Sequence, residues 1–216
     1  ATAPADPALA AEQLRRVSIE GSGTLAIDCP GAGTPIAAYV VAGSDPSNLR
    51  YVPLSGRRAA VDVAESSKLN LIYSVKQGFD FLSPTACQKL LDTVHRQFQR
   101  RLPLHIGKTI VGSFQDELPE VPTWGSTFAM SFQEQFGYDL AQVIHRLFEV
   151  GDDKSRSTRV HYHAHRATLS EEAFFRPFFD WHESLGLICG FDQQSPAREA
   201  RVLGCTSKYA DYTRVH

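Results

Sequence analysis

The chain has 216 residues, of which 43% are hydrophobic and 21% charged, and its formal net charge is −2. That is ordinary globular composition, long enough to bury a core in one or two domains. The near-zero charge offers no basic footprint for nucleic acid, and no apolar run reaches the roughly 20 residues of a membrane-spanning helix, so neither nucleic acid nor membrane is expected as a partner.

The opening ATAPADPALAAEQLRR lacks a basic n-region and a continuous apolar stretch, and does not read as a signal peptide. Residues 1–12, rich in Ala and Pro, read as a linker or frayed end. Residues 13–67 hold the short β-type runs VSIEGSGTLAIDC, TPIAAYVVAG, LRYVPLS and AAVDVAE, punctuated by Gly, Pro, Ser, Asn and Asp. This spacing predicts a small antiparallel β-rich subdomain. GSG and GAG lack the strand–loop–helix context of a phosphate loop.

The pattern changes at residue 68 and stays α/β to residue 216. LNLIYSV is a compact apolar strand. Ser83 as N-cap and Pro84 in the first turn then open a helix. Its apolar face is Cys87, Leu90, Leu91, Val94 and Phe98, with Arg96, Arg100 and Arg101 toward the C-terminal end. KTIVGSF follows as a strand, so residues 69–114 predict strand–helix–strand with the two strands parallel. Helical patterns cover 127–136 and 140–149, and a long one covers 155–185, where Pro177 should kink or split it. LICGF is a third strand. Three strands separated by helices suggest an α/β barrel or an open parallel sheet.

Each of these strands delivers an acid and an amide at its carboxyl end, where functional groups collect in parallel α/β folds. The first runs into Gln77-Gly78-Phe79-Asp80, the second into Gln115-Asp116-Glu117, and the third into Asp192-Gln193-Gln194. An acid after a strand also makes turns and helix caps, and Asp80 reads first in that way. Asp116 and Glu117 fit a cap poorly, because Leu118-Pro119 and Pro122 make a weak helix start. Paired carboxylates near amides and aromatic rings match glycosidic bond cleavage, which needs one carboxylic acid to protonate the leaving oxygen and a second to activate water or attack. Gln115, Gln193, Gln194 and Arg198 could bond sugar hydroxyls, and Trp124 or Tyr209 could stack on an apolar sugar face.

The four cysteines, Cys29, Cys87, Cys189 and Cys205, form no C-x-x-C pair. Buried thiols in a reducing, cytoplasmic compartment are expected. His161 and His165 share a helix face at i, i+4, but no H-E-x-x-H glutamate lies between them. A solvated or internally bonded helix surface is the reading, with no metal assigned. A Ser–His–Asp triad has no sequence support: no G-x-S-x-G elbow occurs, and Gly112-Ser113 lies inside an apolar strand.

The ordered segments GFDFLSP, KTIVGSFQDELP, FGYDL, EEAFFRPFFDWHESLGLICGFDQQSPAR and YADYTRVH together resemble bacterial glycoside hydrolases of the family 106 type, related to α-L-rhamnosidases. The likeness spans roughly residues 13–216. It implies a catalytic (β/α)8 barrel of the TIM type with inserted β-rich pieces, an inverting two-carboxylate mechanism, and often calcium near the site. It also implies that this chain corresponds to an internal section, a partial barrel (68–216) with an N-terminal β-rich inserted subdomain (13–67). Asp116 and Glu117 match the family's acidic strand-end motif, and Asp192-Gln193-Gln194 a later strand end. The family carries an Asp-Ser-Trp-Glu type run where this chain reads Asp-Glu-Leu-Pro-Glu, and a Glu is usual at the later position. The expected function is hydrolysis of O-glycosidic bonds, on rhamnose-type sugars, with a carbohydrate substrate. Glu117 is the expected proton donor, and Asp116 or Asp192 its partner. The competing expectation is a non-catalytic carbohydrate-binding or vestigial barrel fragment.

Overall fold

The computed structural model describes residue 6 and residues 9–43, 48–115, 122–125, 127–149 and 152–191. Five strands come first: β1 (Ala10–Asp28), β2 (Thr34–Ala42), β3 (Leu49–Val52), β4 (Leu54–Ser55) and β5 (Arg58–Phe79). They form one sheet in the order β1-β5-β2-β3, with β4 on β5. The predicted antiparallel β-rich character of the early chain is what the strands show. β2 pairs antiparallel with both β3 and β5. β1 and β5 also run in opposite directions, since Cys29 N–H donates to the Arg57 carbonyl at one end and Asp80 N–H to the Leu9 carbonyl at the other.

One face of this sheet is the core, and the period-two pattern of strands explains it. Leu25 and Ile27 of β1, Ala38 and Val40 of β2, and Leu69 and Leu71 of β5 pack together. Ala38 lies opposite Leu71, and Val40 opposite Leu69. At the strand ends, the Arg57 guanidinium donates to the carbonyls of Cys29 and Gly31, at 3.0 and 2.6 Å.

The LNLIYSV run therefore belongs to the antiparallel sheet, and its expected parallel pairing with the next strand is corrected. Leu69, Asn70, Leu71, Ile72 and Ser74 are all buried. Burial on both faces erases the polar alternation and leaves a run that looks like a parallel-sheet strand.

Downstream come α1 (Pro84–Leu90), a π-helical turn at Leu91–His95 and α2 (Arg96–Arg101). Ser83 caps α1 as expected, its hydroxyl accepting from Ala86 N–H at 3.3 Å. Strand β6 (Gly112–Gln115) follows, then α3 (Phe128–Phe136), a 3-10 helix at Ala141–Leu147 and α4 (Asp153–Ser170). A second π-helical turn, Glu171–Phe175, leads into α5 (Arg176–Ser184) and β7 (Ile188–Phe191). The expected break before Pro177 is thus a π-turn: proline has no N–H to close an α-helical bond, and the wider turn comes just ahead of it. Among the described strands, β6 and β7 pair in parallel, with Gly112 opposite Ile188, Ser113 opposite Cys189, Phe114 opposite Gly190 and Gln115 opposite Phe191.

The chain divides into two compact units, one from Ala1–Ala11, Gln77–Pro122 and His163–His216, the other from Glu12–Lys76 and Thr123–Tyr162. The first holds β6, β7 and the helices packed on them. No described helix is long and apolar enough to cross a membrane.

The parallel pair depends on a glycine. A Cβ on Gly112 would lie 2.8 Å from Ile188 Cβ and against the Ile188 backbone. A Cβ on Gly190 would crowd the Phe114 ring, at 2.9 Å, and meet the Ser113 carbonyl oxygen at an ordinary 3.6 Å, and the exposed Phe114 side chain can swing away. Gly112→Ala should therefore cost about 1–3 kcal/mol of stability and Gly190→Ala clearly less, read as shifts of the urea midpoint. Equal midpoints for the two variants would contradict the close approach.

Candidate active site

The site is built from the first unit, where the register of β6 on β7 sets the positions. Gln115 and Phe191, the residues that precede Asp116 and Asp192 in the chain, are direct register partners. Asp116, Glu117, Asp192, Gln193, Gln194, Arg198 and Tyr209 lie outside the described residues. The Pro122 carbonyl accepts from Arg166 Nε at 3.0 Å. Arg166 is buried, an expensive place for a guanidinium unless its donors are matched.

Gln115 is half-buried and lines a cavity of about 390 Å³. Asp80 forms a turn: its carboxylate accepts from Leu82 N–H at 2.9 Å, just ahead of α1. Trp124, in the second unit, is buried, with its ring on Phe128 at 5.3 Å. Gln115 is therefore the one described substrate-binding candidate that borders the cavity.

The cavity holds chemistry that no sequence pattern announced. His182 on α5 is buried. Its Nδ1 lies 2.6 Å from the Phe178 carbonyl, and its Nε2 lies 2.7 Å from Ser113 Oγ on β6. A carbonyl can only accept, so Nδ1 carries the proton and Nε2 accepts from the Ser113 hydroxyl. Burial lowers the His182 pKa, opposed in part by the Phe178 bond, and keeps the ring neutral. His95, at the end of the first π-turn, stacks edge-on against Phe178, Trp181 and His182. Its Nδ1 is buried without a hydrogen-bond partner among the described residues. Burial and the adjacent His182 push its pKa down to about 4. Trp181 is half-buried and donates from Nε1 to Gln99 at 3.2 Å.

His161 stacks on Phe136 at 4.4 Å and lies 3.2 Å through Nδ1 from the Tyr138 hydroxyl. His165 is buried. Among the described residues no three His, Cys, Asp or Glu side chains are grouped to hold a metal.

Two predictions follow from these environments. Burial raises the thiol pKa of Cys87 and Cys189 to about 12 in each case. Both should resist iodoacetamide at pH 8 in the native protein and react after denaturation, as mapped by mass spectrometry. His95 is a histidine whose folded pKa lies below its unfolded value, so its contribution to stability is present above about 6.5 and is lost as pH falls toward about 4. The urea midpoint should drop across that window. The drop should be shallower in His95→Phe, and an identical slope would contradict the assignment.

No protein-family model matches the chain, and no curated protein is detectably similar to it in sequence. Among solved structures, a rhamnosidase from Novosphingobium sp. PP1Y superposes with a TM-score of 0.51 at 10% identity, over 93% of this chain and 29% of the other. At that identity the likeness is one of fold. The chain spans less than a third of the rhamnosidase's length.

Proposed function

We propose that the chain is the glycosidase region of a larger enzyme, in which residues 68–216 contribute part of a (β/α)8 barrel and the β-rich segment is an insertion. It cleaves O-glycosidic bonds with Glu117 as proton donor and Asp116 or Asp192 as its partner. The observation that carries this reading is the register of Gln115 on Phe191. Two acidic stretches follow two adjacent parallel strands at the same level, which is where barrel enzymes keep their catalytic groups. The fold-level likeness to a rhamnosidase supports the reading, and rhamnose-type sugars are the substrates proposed.

General acid catalysis requires Glu117 to stay protonated at working pH, through burial and repulsion by a neighbouring carboxylate. In the complete enzyme, Glu117→Gln should lower turnover of a natural glycoside by about 10²–10⁴-fold. The loss should be smaller on a nitrophenyl glycoside, whose leaving group needs less protonation. Glu120→Gln, beyond Pro119, should change little on either substrate. Equal small losses in both variants would remove Glu117 from the acid role. Sugar binding without turnover in the wild type would favour a carbohydrate-binding module.

A further inference from the structure

We propose that Ser113 and His182 form a nucleophile–base pair, in a pocket that takes a small, uncharged, mostly apolar ester. The geometry has the parts such a pair needs. The base is buried, and the nucleophile is partly exposed within the cavity. Their 2.7 Å contact joins Oγ to Nε2, and the 2.6 Å contact of Nδ1 with the Phe178 carbonyl holds the ring in the tautomer that accepts the serine proton. The carbonyl here fills the orienting position that a carboxylate takes in a triad.

The walls define the ligand. Phe98, Phe174, Phe178 and Trp181 line the cavity, and among the described residues no Asp, Glu, Lys or Arg does. A charged substrate would lose its hydration with nothing to replace it. A volume of about 390 Å³ suits a short-chain or aryl ester. His95, stacked edge-on against His182, and Gln115 are the other polar side chains that line the cavity among the described residues.

The reaction balances with water alone. Ser113 Oγ bonds to the carbonyl carbon while its proton moves to His182 Nε2, and the carbonyl electron pair moves onto oxygen. Collapse breaks the bond to the alkoxy oxygen, which leaves as the alcohol with the His182 proton. Water repeats the sequence, releasing the acid and restoring the serine. None of these steps involves the strand-end carboxylates.

The test uses the full chain and an uncharged alkyl fluorophosphonate, with the adduct located by peptide mass spectrometry. The adduct should form on Ser113 at least about 10-fold faster than on exposed Ser184, whose hydroxyl donates to the Trp181 carbonyl. Labelling should persist from pH 8 down through 6.5 and fall only below it, as His182 protonates; among the described residues, the titratable groups that line the cavity with His182 are His95 from the π-turn and Cys189 from β7. Ser113→Ala should lose the label and at least about 10-fold of p-nitrophenyl acetate hydrolysis. The wild-type adduct map decides the matter even if that variant does not fold. Labelling of Ser113 no faster than Ser184 in natively folded protein would show a plain strand–helix hydrogen bond, and overturn the proposal.

Discussion

The side-by-side register of β6 and β7 is the constraint on which the candidate chemistry depends. It exists because Gly112 has no side chain where Ile188 lies. Once the strands are paired, Ser113 and Cys189 are level, and so are Gln115 and Phe191. A slip of one residue would turn Ser113 to the other face of the sheet, away from α5, and break its bond to His182. The same slip would leave the acidic stretches starting from different levels. A single steric fact thus sets both the cavity wall and the level at which Gln115 and Phe191 are paired.

The helices reinforce that register from one side. His182 ties α5 to β6 through Ser113, and the π-turn before Arg176 sets the rotation with which α5 arrives. The π-turn at Leu91–His95 brings His95 against His182 and Trp181. Burial keeps both imidazoles neutral near pH 7, so the cavity carries polarity without charge. Asp116, Glu117 and Asp192 belong instead to the stretches that follow the strand ends. The two kinds of polar group are separated in sequence as well, with Ser113 and His182 inside elements and the acids just past them.

Much of the local structure was legible in the chain. Ser83-Pro84 marked a helix start by a cap and a preset backbone angle, and Pro177 marked a break. Both strands of the parallel pair stood out as apolar runs ending in amide and acid. The LNLIYSV run misled because it is buried on both faces, so its composition could not show which sheet it joins. The 140–149 pattern gave a 3-10 helix, with Val143 at non-helical angles, since periodicity does not fix the hydrogen-bond pitch. The Ser113–His182 bond had no local signal at all. Its partners are 69 residues apart, and each looks like an ordinary member of its own strand or helix. Arg166 was equally silent, as nothing in sequence separates a buried arginine from a surface one.

The central claim is that two acidic strand ends share one cleft, and the separation of the Glu117 and Asp192 carboxyl groups in a crystal of the sugar-bound protein tests it most directly. About 6.5–9.5 Å is the value for an inverting glycosidase, which the family resemblance implies; about 5–5.5 Å would keep the enzyme but make it retaining. Carboxyl groups much farther apart, or facing different surfaces, would contradict the account and leave the chain without a two-carboxylate mechanism.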